Sequence, residues 1–75
     1  MDRAARDRLR WRCRRGLLEL DLVFERFLPT LAEAEREAFE ALLELADQPL
    51  WDIVAGRSDD YDPQLTAIVA RLRAA

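Results

Sequence analysis

Few side chains in this sequence are suited to chemistry, and none of them forms a familiar catalytic set. Cys13 is the only cysteine, and the 75 residues contain no histidine. Without histidine there is no Ser-His-Asp or Cys-His nucleophile, no imidazole base and no ordinary zinc site. A single cysteine cannot form an internal disulfide, and a lone thiol is typical of a reducing compartment. The sequence therefore argues against an enzyme and against a metal site.

Cys13 itself has two possible roles. Five arginines lie within five residues of it, and nearby cations favour the reactive thiolate. Cys13 also continues the spacing of four that joins Ala5 to Leu9, which places all three on one apolar stripe of a helix. We favour the second role, that of a small buried residue.

Acidic residues near the C-terminus raise the question of a cation site. Asp59, Asp60 and Asp62 are close together, but neither the glycine nor the closing glutamate of a calcium loop follows them. We assign them to a turn and a helix cap. No metal and no directly bound cofactor is predicted.

Charge is distributed unevenly along the chain. Residues 1–15 carry seven Arg and two Asp, whereas the whole chain has a net charge of −3. Arginine clusters can neutralise phosphates, but only Trp11 interleaves with this run and no recognition-helix pattern follows it. We therefore expect a solvated or partner-facing basic helix and no nucleic-acid partner. Trp11 lies one residue off the stripe of Cys13, and a half-exposed position at a protein interface is one of two interpretations left open for it.

The most informative segment is Arg14-Arg15-Gly16-Leu17-Leu18-Glu19. Glycine between two helices lets one end and the next begin, and it leaves bare backbone that another protein can approach closely. Arg15 is expected in the last turn of the first helix and Glu19 in the first turn of the second. On spacing alone, these charges also suit simple capping of the helix ends.

The elements that position this segment are predicted to be five short helices. The predicted helices cover residues 2–15, residues 17–28, about four turns from a Thr30/Glu33 capping box, a segment capped by Asp47 and ended by Gly56, and a segment that starts at Asp62-Pro63. Arg36 is expected to pair with Glu40, and Trp51 to lie in the core. The predicted fold is an all-α compact bundle.

The length and composition agree with one small helical domain over residues 1–75. Hydrophobic residues make up 51% of the chain, and only 2 Gly and 3 Pro are present. No apolar run approaches the length of a membrane span, so no membrane insertion is expected. We expect a cytoplasmic protein.

The string from Trp11 to Asp21, Trp-Arg-Cys-Arg-Arg-Gly-Leu-Leu-Glu-Leu-Asp, resembles the signature of the succinate dehydrogenase assembly factor family, the bacterial SdhE type and its mitochondrial relatives. The family's R-G-x-x-E motif falls at Arg15, Gly16 and Glu19. The likeness covers most of the chain from about Leu9 onward. One departure is Ala32, where relatives often have a helix-capping Ser, and Thr30 is expected to replace that cap.

This resemblance implies a non-enzymatic five-helix bundle. Family members bind the flavoprotein subunit of succinate dehydrogenase, and in some bacteria that of fumarate reductase. They promote covalent attachment of FAD to a histidine of that subunit. The FAD is carried by the partner, and no small-molecule substrate is expected for this chain.

Together with the exposed position expected of the motif, the resemblance leads us to a hypothesis about which residues bind the partner. Glu19 is expected to reach toward the flavin cleft, and Gly16 to permit close backbone approach. Arg12, Arg14 and Arg15 are expected to pair with acidic groups of the partner. The candidate apolar anchors at the rim are Trp11 and Leu18.

One alternative comes from a different class of protein. Some relatives have been labelled antitoxin-like or regulatory, so a helical protein-interaction module is the competing interpretation. An enzyme is the third and weakest.

Overall fold

Five α-helices make up the fold in the computed structural model, which describes residues 1–75. Their order is α1 (Arg3–Arg12), α2 (Leu18–Phe27), α3 (Arg36–Leu43), α4 (Asp47–Val54) and α5 (Thr66–Arg73). Three short 3-10 turns complete the fold. One follows α2 (Leu28–Thr30), one precedes α3 (Glu33–Glu35) and one precedes α5 (Pro63–Leu65). The chain contains no strand. The predicted all-α bundle of five short helices is confirmed.

The core is apolar throughout and draws on every helix. Three phenylalanines lie at its centre: the ring of Phe39 on α3 is 5.5 Å from that of Phe24 and 5.4 Å from that of Phe27. α5 packs against both α2 and α4. No polar or charged residue is fully buried. Burial of these apolar faces is the main force that holds helices this short in place.

α1 is attached to the bundle along the predicted stripe. Ala5, Leu9 and Cys13 are all buried, as their spacing predicts. The helix starts where an Asp2 side-chain oxygen accepts a hydrogen bond from the Ala5 backbone N–H at 2.7 Å. Arg6 then donates to the Leu28 carbonyl at 2.8 Å, which ties α1 to the end of α2.

α1 is shorter than predicted. We expected it to continue through Arg15, but it ends at Arg12 with Cys13 as its C-cap. The reason is a competing acceptor: the Arg14 backbone N–H still donates to the Trp11 carbonyl, but those of Arg15 and Gly16 donate to the side chain of Asp21 and not to carbonyls of α1. The prediction that Arg15 lies in the last turn of α1 is therefore wrong.

The predicted capping box before α3 is also wrong. The Thr30 hydroxyl donates back to the Phe27 carbonyl at 2.7 Å and so belongs to the end of α2. Ala32 takes the cap position, and the Glu35 carboxylate accepts from its backbone N–H at 2.9 Å. The first turn is 3-10, and the regular α3 begins only at Arg36. The predicted pair of Arg36 and Glu40 is confirmed at 3.3 Å.

The last two helices follow the sequence signals in part. Asp62 caps the turn that begins with Pro63 by accepting from the Gln64 backbone N–H at 2.9 Å, as predicted. Asp47 does not cap α4: it is the first residue of the helix and its side chain makes no capping bond. Trp51 is half-buried and packs against the core.

A bilayer-spanning segment would need a helix much longer and more apolar than any in this fold.

Candidate functional site

The turn between α1 and α2 contains the predicted motif, and we call residues 13–19 the corner. Gly16 has a φ of +82°, in the left-handed region that L side chains rarely adopt. It is exposed, and a Cβ built on it would meet no atom within 4 Å. The glycine is therefore needed for the backbone conformation and not for packing inside the monomer.

Asp21 fixes the backbone of the corner from one side. Its two carboxylate oxygens accept hydrogen bonds from the backbone N–H groups of Arg15, at 3.1 Å, and Gly16, at 3.2 Å. The role of Asp21 was not predicted from the sequence. The available signal was its position, an acid in the first turn of a helix just after a glycine turn, where it can accept from exposed N–H groups.

Arg15 fixes the corner from the other side. Its guanidinium turns inward, leaving the side chain 12% exposed, and donates to the Leu45 carbonyl at 2.8 Å and to Asp47 at 2.9 Å. A further hydrogen bond goes to the Leu43 carbonyl. These carbonyls belong to the C-terminal end of α3 and to the link that follows it, where helix carbonyls lack partners. Among the buried side-chain nitrogen and oxygen atoms of the protein, only the Nε of Arg15 has no hydrogen-bond partner.

The two other arginines predicted to bind a partner lie at the surface. Arg12 pairs with Glu44 at the end of α3, at 3.0 Å, and its side chain is 39% exposed. Arg14 makes no ion pair, and its guanidinium lies over the ring of Trp11, 5.6 Å from the ring centroid. Arg14 therefore keeps its charge free of any acidic group of this chain.

The exposed apolar side chains of the molecule are concentrated around the corner. Trp11 is 72% exposed and Leu18 is 70% exposed, and the next largest, Leu22, lies one turn after Leu18. Leu18 and Leu22 line an open groove together with Arg14. Large apolar side chains that stay in water at one place are typical of protein interaction sites.

Glu19 is exposed in the first turn of α2 and forms no ion pair or side-chain hydrogen bond within the chain. The structure thus places Trp11, Arg14, Gly16, Leu18 and Glu19 at the surface. Arg15 differs from them because its side chain is directed to the link between α3 and α4.

Cys13 has no reactive character here. It is the buried first residue of the corner, and burial raises the pKa of its thiol from 9.0 to about 12 despite the opposing charges of Arg15 and Arg12. The thiol is therefore protonated at neutral pH, and the interpretation of Cys13 as a buried small residue is confirmed.

Comparison with known proteins agrees with the resemblance carried by the string from Trp11 to Asp21. The family model described as "Flavinator of succinate dehydrogenase" matches residues 7–75. A protein of Methylococcus capsulatus named "FAD assembly factor SdhE" is 44% identical over 73 residues, which cover 92% of this chain and 88% of the relative.

Two further relatives with the same name match over a similar share of the chain. The match to the protein of Legionella pneumophila strain Lens is 38% identical and covers 97% of this chain and 96% of the relative. The match to the protein of Xylella fastidiosa strain Temecula1 is 38% identical and covers 99% of this chain and 81% of the relative. No solved structure gives a match. The chain therefore belongs to the family of succinate dehydrogenase flavinators, the Sdh5 family.

Proposed function

We propose that this protein is an assembly factor that binds the flavoprotein subunit of succinate dehydrogenase or fumarate reductase and promotes covalent attachment of FAD to it. The observation that carries the proposal is the exposed glycine corner, whose backbone conformation only glycine adopts readily and whose Cβ position is open. The description of the family, flavinator of succinate dehydrogenase, supports the choice of client, and the name of the relatives, FAD assembly factor SdhE, supports the role.

The apolar contacts of the proposed complex come from the two most exposed large side chains. Trp11 lies two residues before the corner and Leu18 lies within it, so the two stand on either side of Gly16 in sequence. Burying a tryptophan and a leucine against a partner removes apolar surface from water, and tryptophan is enriched among residues that dominate binding energy. Between them, Gly16 allows the partner backbone to approach the chain without meeting a side chain.

The polar contacts come from charges that have no partner in the free protein. Glu19 and Arg14 form no internal ion pair, so binding does not require any to break. Arg12 pairs with Glu44 at the surface, where ion pairs contribute little to stability. Arg12 can therefore exchange Glu44 for an acidic group of the partner at small cost.

The chemical contribution of this chain is positional. It contains neither a histidine nor a Gly-rich dinucleotide loop, so the acceptor histidine and the flavin site both belong to the partner. Binding energy from the corner favours the conformer of the flavoprotein in which histidine and flavin are aligned. On this account the protein is not an enzyme, and it acts in the bacterial cytoplasm, where a lone thiol stays reduced.

Co-expression tests this function. The flavoprotein subunit is produced in cells that lack an endogenous assembly factor, with or without this protein. Covalent FAD is then measured as fluorescence of the flavoprotein band on a denaturing gel. We expect the band to fluoresce strongly only when this protein is present. Equal fluorescence in both samples would reject the proposal.

The basic face of α1 is the observation that favours the alternative, an antitoxin-like or regulatory helical interaction module, for which binding of nucleic acid is the property to test. Four arginines of the first fifteen residues make no ion pair or side-chain hydrogen bond within the chain: Arg3, Arg8, Arg10 and Arg14. A salt titration separates the two functions, because phosphate binding weakens steeply as salt rises. We expect no measurable binding of duplex DNA or RNA at physiological salt.

A further inference from the structure

The motif arginine occupies an unusual place for a residue expected to meet a partner. The guanidinium of Arg15 is directed into the protein and makes three hydrogen bonds there, to the carbonyls of Leu43 and Leu45 and to Asp47. A partner could reach it only by displacing these bonds. The geometry therefore places Arg15 on the inner side of the corner, behind Gly16.

Asp21, on α2, binds the backbone of Arg15 and Gly16. By accepting from the backbone N–H groups of Arg15 and Gly16, it satisfies two donors that α1 leaves free. The corner is thus held at its backbone by α2 and at its Arg15 side chain by the link between α3 and α4. Two independent attachments fix a turn far better than one, because each limits the freedom that the other leaves.

We propose that Arg15, Asp21 and Asp47 are positioning residues, which preform the corner for partner binding without contacting the partner themselves. The inference rests on the proposed function, since it concerns how the same corner binds the flavoprotein. A preformed corner binds more tightly because the cost of ordering the backbone is met during folding and not during association.

Asp47 gives the sharpest test, because it lies 32 residues from Arg15 in sequence and 31 from Gly16. Replacing it leaves the sequence around the corner unchanged, so the intrinsic exchange rates of the amides there do not change. The variants are Asp47→Ala and Asp47→Asn, which keeps an acceptor oxygen. Asp52→Ala is the matched control, since Asp52 is also on α4 and forms an exposed pair with Arg57.

The first measurement needs no partner and follows amide hydrogen exchange by NMR. We expect Asp47→Ala to speed exchange of the Arg15 and Gly16 amides about tenfold relative to core amides such as Leu42. Asp47→Asn should restore most of the protection, and Asp52→Ala should change nothing at the corner. Equal acceleration of corner and core amides in Asp47→Ala, or no acceleration of either, would overturn the proposal.

The second measurement is the dissociation constant of the complex with purified flavoprotein subunit, at a temperature where all variants are folded by circular dichroism. We expect Asp47→Ala to weaken binding about three- to tenfold, Asp47→Asn much less, and Asp52→Ala not at all. Should Arg15→Ala weaken the complex while Asp47→Ala binds like the wild type, Arg15 contacts the partner directly and the positioning role is rejected. Absence of binding by the wild type would instead reject the proposed function, while the exchange measurement still tests the preformed corner.

Discussion

At the scale of single residues, two glycines adopt the left-handed conformation, but only one of them lies in the corner. Gly16 has a φ of +82° and Gly56, after the end of α4, has a φ of +84°. Neither would bring a Cβ within 4 Å of another atom. Replacing either glycine by a larger residue therefore strains the backbone to a similar degree. The two positions differ because only Gly16 lies in the corner.

This pair yields the first prediction. Gly16→Arg and Gly56→Arg should each lower the free energy of unfolding by about 1–2 kcal/mol, the usual cost of a side chain at positive φ. Only Gly16→Arg should abolish binding to the flavoprotein subunit, because its side chain blocks close approach of the partner. Urea unfolding and calorimetric titration measure the two effects. Loss of binding in both variants, or in neither, would show that the corner is not the contact.

Cys13 yields a prediction about alkaline pH. Burial raises its pKa from 9.0 to about 12, so the folded state keeps the proton that the unfolded state releases above pH 9. Stability from this thiol is complete below pH 9 and is lost as pH rises toward 12, at about 1.4 kcal/mol per pH unit. Urea unfolding of wild type and Cys13→Ala between pH 8 and about 10.5 tests this. The variant should show the smaller loss, and parallel curves would contradict the prediction.

At the scale of the helices, the sequence predicts best where the signal is local. Asp62 and Pro63 mark the start of the last helical segment correctly, since cap and first turn depend only on neighbours. The buried stripe of α1 follows from spacing alone. These features need no knowledge of the rest of the molecule.

The errors arise where two groups compete for the same backbone hydrogen bonds, or where a side chain meets another helix. α1 ends three residues early because Asp21 takes the N–H groups of Arg15 and Gly16, and Arg15 turns inward because unpaired carbonyls end α3. The string from Trp11 to Asp21 predicts that Arg15 is a residue of the site. It does not predict the direction of the Arg15 side chain. Around α3, Glu35 and not Thr30 completes the cap, because Thr30 is still hydrogen-bonded to α2.

The attachment of Arg15 to the α3–α4 link yields a prediction about stability. Arg15→Ala removes three partly buried hydrogen bonds and leaves the carbonyls of Leu43 and Leu45 without this donor, so it should lower the free energy of unfolding by about 2–4 kcal/mol. Arg12→Ala removes only a surface pair with Glu44 and should cost less than about 1 kcal/mol. Urea unfolding compares the two. Equal losses would mean that the inward bonds of Arg15 contribute no more than an exposed pair.

At the scale of the whole molecule, the free charges are not spread evenly. Of the five arginines after residue 15, only Arg26 makes no ion pair or side-chain hydrogen bond. By contrast, four of the seven earlier arginines are free, and they lie on α1 or at its end. Most arginines in the C-terminal part of the chain are therefore bound to groups of the same chain. Most of those in the N-terminal part are free of such bonds and lie on α1 or next to the corner.

The corner is proposed to promote flavinylation through contacts with the partner, and Glu19 allows the most direct test of this proposal. Glu19 and Glu37 are both exposed, both in the first turn of a helix and both free of internal ion pairs, so their replacement by Ala costs folding about the same. The measurement is covalent FAD on the flavoprotein subunit, from co-expression with wild type, Glu19→Ala or Glu37→Ala at matched protein levels. We expect Glu19→Ala to lower the covalent FAD yield strongly and Glu37→Ala to leave it unchanged. A wild-type yield with Glu19→Ala would contradict the claim.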